Sequence, residues 1–166
     1  MMNFERLNRN KNTDYRKFRN CLANKNWYEA DQETYQIMLK VANRVVEDYL
    51  TEEDINNFPT SDLMTINKLW VDYSQGKYGF SVQAEIYRSL GGTRNYEEKI
   101  WEIFCEQVGW CQAGRWLFYS EIFPNKVLQN TTTKGHLPVC FGGGWGIGGV
   151  LGMGGECLLS RQDLWK

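Results

Sequence analysis

The stretch Trp27-Tyr28-Glu29-Ala30-Asp31-Gln32-Glu33-Thr34-Tyr35-Gln36-Ile37-Met38-Leu39-Lys40-Val41 decides how the rest of the chain reads. Trp27, Ala30, Ile37, Met38 and Val41, with Val45 beyond them, recur at helical spacing, while Glu29, Asp31, Glu33 and Lys40 fall on other faces. The spacing predicts an amphipathic helix. Before it, a shorter helix carries Tyr15, Phe18 and Leu22 inward, and Ala23-Asn24-Lys25-Asn26 reads as a tight turn, so the two form an α-hairpin.

The pattern continues downstream. Thr51-Glu52-Glu53-Asp54 has the form of a helix start with Thr51 as N-cap, and Phe58-Pro59 stops that brief turn. Thr60, Ser61 or Asp62 is expected to cap the next helix, whose inner stripe is Leu63, Ile66, Trp70 and Tyr73. Residues 81–90 read as a helix with Val82, Ile86 and Leu90 inside, stopped by Gly91-Gly92. Residues 96–108 read as another, burying Ile100, Trp101, Phe104 and Val108. Beyond Gly109 the helical spacing stops, the segment 109–116 is compact with glycines placed for turns, and no strand alternation is evident. Nine glycines between Gly142 and Gly155 forbid regular packing there, and Leu158-Leu159-Ser160-Arg161 reads as a short docking element.

Composition narrows the function. A chain of 166 residues, 42% hydrophobic, can bury a core without staples or metals. Seven Trp, nine Tyr and eight Phe exceed what such a core needs, and fit either a concave aromatic surface or a Trp-rich core. A net charge of −1 gives no electrostatic claim on nucleic acid or an anionic membrane. The basic start (Arg6, Arg9, Lys11, Arg16, Lys17, Arg19) reads first as a solvated face. Five cysteines without a C-x-x-C spacing point to reduced thiols rather than a disulfide framework or zinc site. The opening residues carry no apolar run of the secretory kind, and the uncharged stretch 137–155 is too glycine-rich to span a membrane, so the expectation is a soluble chain.

The catalytic candidates are thin. Gly144-Trp145-Gly146-Ile147-Gly148-Gly149 satisfies G-x-G-x-x-G, but lacks the preceding strand and following helix that a dinucleotide site requires. His136 is the only histidine, which excludes a histidine triad or a histidine-rich metal cluster. It remains a candidate axial ligand to a haem or metalloporphyrin, although a loop histidine holding local backbone is the simpler reading. Cys111 and Cys140 have no activating neighbour in sequence, and the acidic run 47–54 has no basic or metal partner. The expectation is a non-enzyme.

Taken together, Leu50-Thr51-Glu52-Glu53-Asp54-Ile55 before Phe58-Pro59, Asp62-Leu63-x-Thr65-Ile66-x-x-Leu69-Trp70, Lys77-Tyr78-Gly79-Phe80-Ser81-Val82-Gln83, Val108-Gly109-Trp110 and Gly135-His136-Leu137-Pro138 resemble, in order, the "genomes uncoupled" (GUN-type) tetrapyrrole-binding domain. The resemblance implies an all-α, compact multi-helix domain shaped like a cupped hand, with long irregular loops. It divides the chain into a loose N-terminal extension (1–13), the binding core (14–138), and a glycine-rich segment with a short docking element (139–166). It implies non-catalytic binding of protoporphyrin IX or Mg-protoporphyrin IX and stimulation of magnesium chelatase through that enzyme's large subunit, in the chlorophyll biosynthesis of cyanobacteria or plastids. The implied location is the cytoplasm or plastid stroma, with peripheral membrane contact left open, and the chain is expected to be a monomer with no intrinsic cofactor. A second reading is a paralogue that regulates or scaffolds, binding a bilin, haem or a protein partner.

In that family two loops wall the cup, here residues 43–58 and residues 119–138 together with the chain just beyond them. The implied porphyrin contacts are Leu50, Ile55, Tyr119, Phe123, Leu137 and Phe141, with Lys134 and Arg161 as cations for the propionates. Burying one face of a macrocycle removes a few hundred Å² from water, worth several kcal/mol at about 25 cal/mol per Å² before ordering costs. The chain departs from the family in two places. Glu52 stands where an apolar or aromatic contact can stand, and no positive charge follows Pro138 until Arg161.

Overall fold

The computed structural model of the chain describes residues 13–139 and 155–165. The expected extension before residue 13, the glycine-rich tract with its G-x-G-x-x-G, and Cys140, Phe141 and Trp145 lie outside the described residues. The described chain runs α1 (Arg16–Ala23), α2 (Trp27–Ala42), α3 (Glu52–Asn56), α4 (Thr60–Tyr73), α5 (Phe80–Ser89), α6 (Glu98–Gln107), β1 (Cys111–Gln112), β2 (Arg115–Trp116) and α7 (Tyr119–Ile122), then α8 (Gly155–Leu159), with short 3₁₀ turns at Pro124–Lys126 and Gln162–Leu164. It is mostly helical, as expected.

The hairpin of α1 and α2 buries Phe18 and Leu22 on one side and Ala30, Ile37, Met38 and Leu39 on the other. Val45 does not extend the α2 stripe. Asn43 adopts the left-handed conformation at φ 58 and ends the helix, so Val45 leaves the core and is 52% exposed. Thr51 and Asp54 form the expected reciprocal capping box at α3. At α4 the expectation fails: Pro59 holds the N-cap position with no side-chain cap, and Thr60 is already helical. The buried Asp62 instead accepts a hydrogen bond from the Tyr15 hydroxyl at 2.6 Å.

Much of the aromatic surplus is core. Trp70 is fully buried among Phe18, Trp27 and Tyr78, and its indole N–H donates to the Thr34 hydroxyl at 2.9 Å. A second cluster joins Tyr87, Trp101, Phe104 and Trp110. The segment expected to lack strands makes a small antiparallel hairpin, pairing Cys111 with Trp116 and Gln112 with Arg115 across Ala113-Gly114. Both turn residues have positive φ (51 and 73), the mirror-image turn that suits hairpin twist. Cys21, Cys105, Cys111 and Cys157 are free thiols.

Three of the five sequence segments that carry the family resemblance, 77–83, 108–110 and 135–138, meet in three dimensions. Gly135 N–H donates to the Lys77 carbonyl and Gly79 N–H to the Leu137 carbonyl, at 2.9 and 3.0 Å. The Gln83 amide donates to the Gly135 and Pro138 carbonyls at 3.0 and 2.9 Å. The Trp110 indole N–H donates to the His136 carbonyl at 2.8 Å. At Gly135 (φ +77) a Cβ would lie 2.7 Å from Ile86 and 3.2 Å from Val108, so only glycine lets the strap of residues 135–139 lie down on α5. The motifs form one hydrogen-bonded knot.

Candidate functional site

Helix α2 carries Tyr28, Asp31, Gln32 and Tyr35 at i, i+3, i+4 and i+7, a polar-aromatic face about 10 Å long at 1.5 Å rise per residue. Each end of that face holds a loop. At its C-terminal end the Tyr35 hydroxyl donates to the Asp48 carbonyl. This fixes the loop between α2 and α3, in which Arg44 also bridges Glu47 (3.4 Å) and Asp54 (2.8 Å). The loop turns sharply through Asn43 and Asp48, both at positive φ, and three of its apolar residues point outward while Leu50 is buried. Val45, Val46 and Tyr49 are 52%, 95% and 55% exposed.

At the N-terminal end of the face, Tyr28, Tyr119 and Phe123 form a three-ring cluster with centroids 5.0–5.9 Å apart. The Tyr119 hydroxyl accepts from the Gln32 amide at 2.8 Å and donates to Asp31 Oδ2 at 2.9 Å. The other oxygen of Asp31 accepts the Val139 backbone N–H at 2.7 Å. One buried carboxylate on α2 thus ties down both ends of the segment 119–139. Between those ends Asn125 and Lys126 adopt left-handed conformations (φ 52 and 62), which brings Lys126 Nζ to 5.6 Å from the centre of the Tyr28 ring. Phe118 and Val127 of this second loop are strongly exposed. Glu121 is bound bidentately by Arg115, which holds its carboxyl down at about 2.

The residues expected to line the cup are placed as follows. Tyr119 is half-buried at the α2 face, and Phe123 is buried behind it in the same ring cluster. Leu50, Ile55 and Leu137 are buried core side chains. Lys134 is exposed and lies 3.5 Å from Glu85 of α5. Arg161 is committed to structure: its guanidinium donates to the Ile55 and Phe58 carbonyls at 2.8 Å and pairs with Asp163, clamping the C-terminal element onto α3 and α4. Phe141 lies outside the described residues. His136 is 1% exposed, with Nδ1 2.6 Å from the Val108 carbonyl, the backbone-holding role that its loop position allowed. Among the described residues no group of three or more His, Cys, Asp or Glu side chains could hold a metal ion.

Sequence reasoning missed Tyr28, Asp31, Gln32 and Tyr35, because they lie off the inner stripe of α2. It also missed Val46, Tyr49, Phe118, Val127 and Lys126. The signal for the loops was present: apolar side chains in stretches too polar and too short to be core. A separate groove of about 310 Å³ lies between α5 and the C-terminal turn, lined by Ser81, Val82, Glu85, Arg88, Leu164 and Trp165, and shares no residue with either loop.

A helical scaffold whose two loops present apolar side chains at opposite ends of one helix face is a binding architecture. The GUN4-like family model matches residues 8–148, and the chain belongs to that family. It is 36% identical over 136 residues to the "uncharacterized protein ycf53" of Porphyra purpurea, covering 81% of this chain and 53% of the relative. It is 27% identical over 132 residues to the "tetrapyrrole-binding protein, chloroplastic" of Arabidopsis thaliana, covering 72% of this chain and 46% of that one. The chain therefore spans about half the length of the curated relatives it matches. The fold matches the ligand-free structure of Arabidopsis thaliana GUN4 with a TM-score of 0.71 at 24% identity, covering 93% of this chain and 100% of the other. It matches the structure of GUN4 from Chlamydomonas reinhardtii with a TM-score of 0.73 at 24% identity, covering 95% and 91%.

Proposed function

We propose that this chain binds a tetrapyrrole between the 43–51 loop and the 118–139 loop, over the Tyr28–Tyr35 face of α2, and that it carries the ligand without transforming it. The observation that supports this most is the outward display of Val45, Val46 and Tyr49 on one loop and Phe118 and Val127 on the other, each loop anchored to α2 by tyrosine hydroxyls. Exposed apolar groups on two loops anchored to one helix suit a broad, flat, greasy ligand. Family membership and the tetrapyrrole-binding relative favour protoporphyrin IX or Mg-protoporphyrin IX as that ligand. Presentation of the porphyrin to the large subunit of magnesium chelatase, by a monomer made of a 14–138 core and flanking segments, completes the reading. The Arabidopsis relative is chloroplastic, and no described helix is long and apolar enough to cross a membrane, which fits a place in a plastid stroma or cyanobacterial cytoplasm.

Trp27, the first residue of α2, and Trp116, two residues before Phe118, are half-buried and serve as reporters. Titration with protoporphyrin IX and Mg-deuteroporphyrin should quench tryptophan fluorescence with saturation at about 1 µM or below. Absence of quenching at about 50 µM of either macrocycle rules the reading out.

A further inference from the structure

The two loops differ in charge as well as sequence. The 43–51 loop carries Glu47 and Asp48 against one cation, Arg44, which is already paired with Glu47 and with Asp54 of α3, while Glu52 of α3 is turned toward Cys157. Glu47, Asp48, Glu52 and Glu53 are all exposed. On the other side Arg115 neutralises Glu121, while Lys126 stands over the Tyr28 ring with no carboxylate partner among the described residues. A disc resting over α2 between the loops therefore has a lysine at one edge and the carboxylates of Glu47 and Asp48 at the other. We infer that the site is polarised: it takes a flat macrocycle whose carboxylates lie along one edge only, with that edge at Lys126 and the uncharged edge at the acidic loop. This rests on the proposed binding reading and adds orientation and selectivity to it.

The physical basis is a difference between edges. An ammonium held beside an aromatic face gives a carboxylate a charge-assisted partner. A carboxylate at the opposite edge meets only like charge and loses hydration without compensation. Because the pairs are solvent-exposed, the effect is screened by salt and modest in size.

The test is a titration panel on the full chain with three macrocycles: protoporphyrin (two adjacent propionates), coproporphyrin (four carboxylates around the ring) and protoporphyrin dimethyl ester (none). Protoporphyrin should bind about tenfold tighter than either of the others at low salt, and the preference should shrink at about 0.5 M salt. Lys126→Gln should remove the advantage over the ester while Lys126→Arg keeps it, and Glu47→Gln with Asp48→Asn should improve coproporphyrin binding. Equal affinity for all three macrocycles, or a lead for protoporphyrin that Lys126→Gln leaves intact, overturns the inference while the binding reading stands. Failure of all three to bind overturns both.

Discussion

His136 shows how a single side chain can hold a loop and make it sensitive to acid. A carbonyl only accepts, so the 2.6 Å contact with Val108 places the ring proton on Nδ1. Nε2 is left as a buried acceptor with no donor among the described residues, as is Gln83 Oε1, whose own amide hydrogens serve two carbonyls of the same strap. Burial lowers the His136 pKa from its ordinary 6.5, because a charged ring would sit in an apolar site. The folded state thus binds a proton less readily than the unfolded chain. Its contribution is complete above the unfolded pKa and is lost as pH falls from there through the lower folded pKa. Denaturant unfolding should show stability falling as pH drops below about 6.5, with the fall flattened in His136→Asn, whose side-chain amide can still donate to Val108. A wild-type fall that His136→Asn leaves unchanged assigns the acid sensitivity to other groups. The residue's backbone-holding role was legible from its loop position. The identity of the carbonyl it holds was not, since Val108 lies 28 residues away.

At the scale of elements, the arrangement hangs on how α2 grips the 118–139 segment. Asp31 receives Tyr119 at one end of the segment and Val139 at the other, across sequence separations of 88 and 108 residues. No local pattern announces such contacts, and an aspartate in the middle of an amphipathic helix reads as solvated until the fold brings its partners. The terminus of α2 departs from its sequence pattern for a more tractable reason. The Val45 position fits the 3.6-residue period, but Asn43 in a left-handed cap overrides periodicity and turns Val45 outward. The 111–116 hairpin escaped notice because two-residue strands are too short to alternate, although Ala113-Gly114 is a fair turn signal. Removing the carboxylate by Asp31→Ala should cost about 1–3 kcal/mol of stability, since it strands buried donors. In a double-mutant cycle with Tyr119→Phe the two losses should overlap by more than about 0.5 kcal/mol. Simple additivity would mean that the grip lies elsewhere.

For the whole molecule, the interlocking motifs that identify the family and the exposed apolar side chains that would meet a ligand are different residues. Lys77 to Gln83, Val108 to Trp110 and Gly135 to Pro138 interlock to seat the strap, and their conformational demands, such as glycine at 135, make them recognisable in sequence. The loops seated by that knot answer to looser rules. An exposed valine, tyrosine or phenylalanine can be exchanged for another apolar group without disturbing the fold, so these loop positions carry no fixed motif, and the expected contacts Leu50, Ile55 and Leu137 are buried side chains in this structure. The helices, turns and buried stripes were accordingly readable in advance, while the candidate site rests on α2 carrying a loop at each end, which the sequence did not announce.

The claim that the macrocycle lies over α2 between those loops is tested most directly by NMR of the isotopically labelled chain during addition of Mg-deuteroporphyrin, whose ring current marks nearby nuclei. The largest shifts should fall on Tyr28, Val45, Val46, Tyr49, Phe118 and Val127. Shifts gathered instead on Ser81, Arg88 and Trp165, the groove beside α5, would contradict that placement.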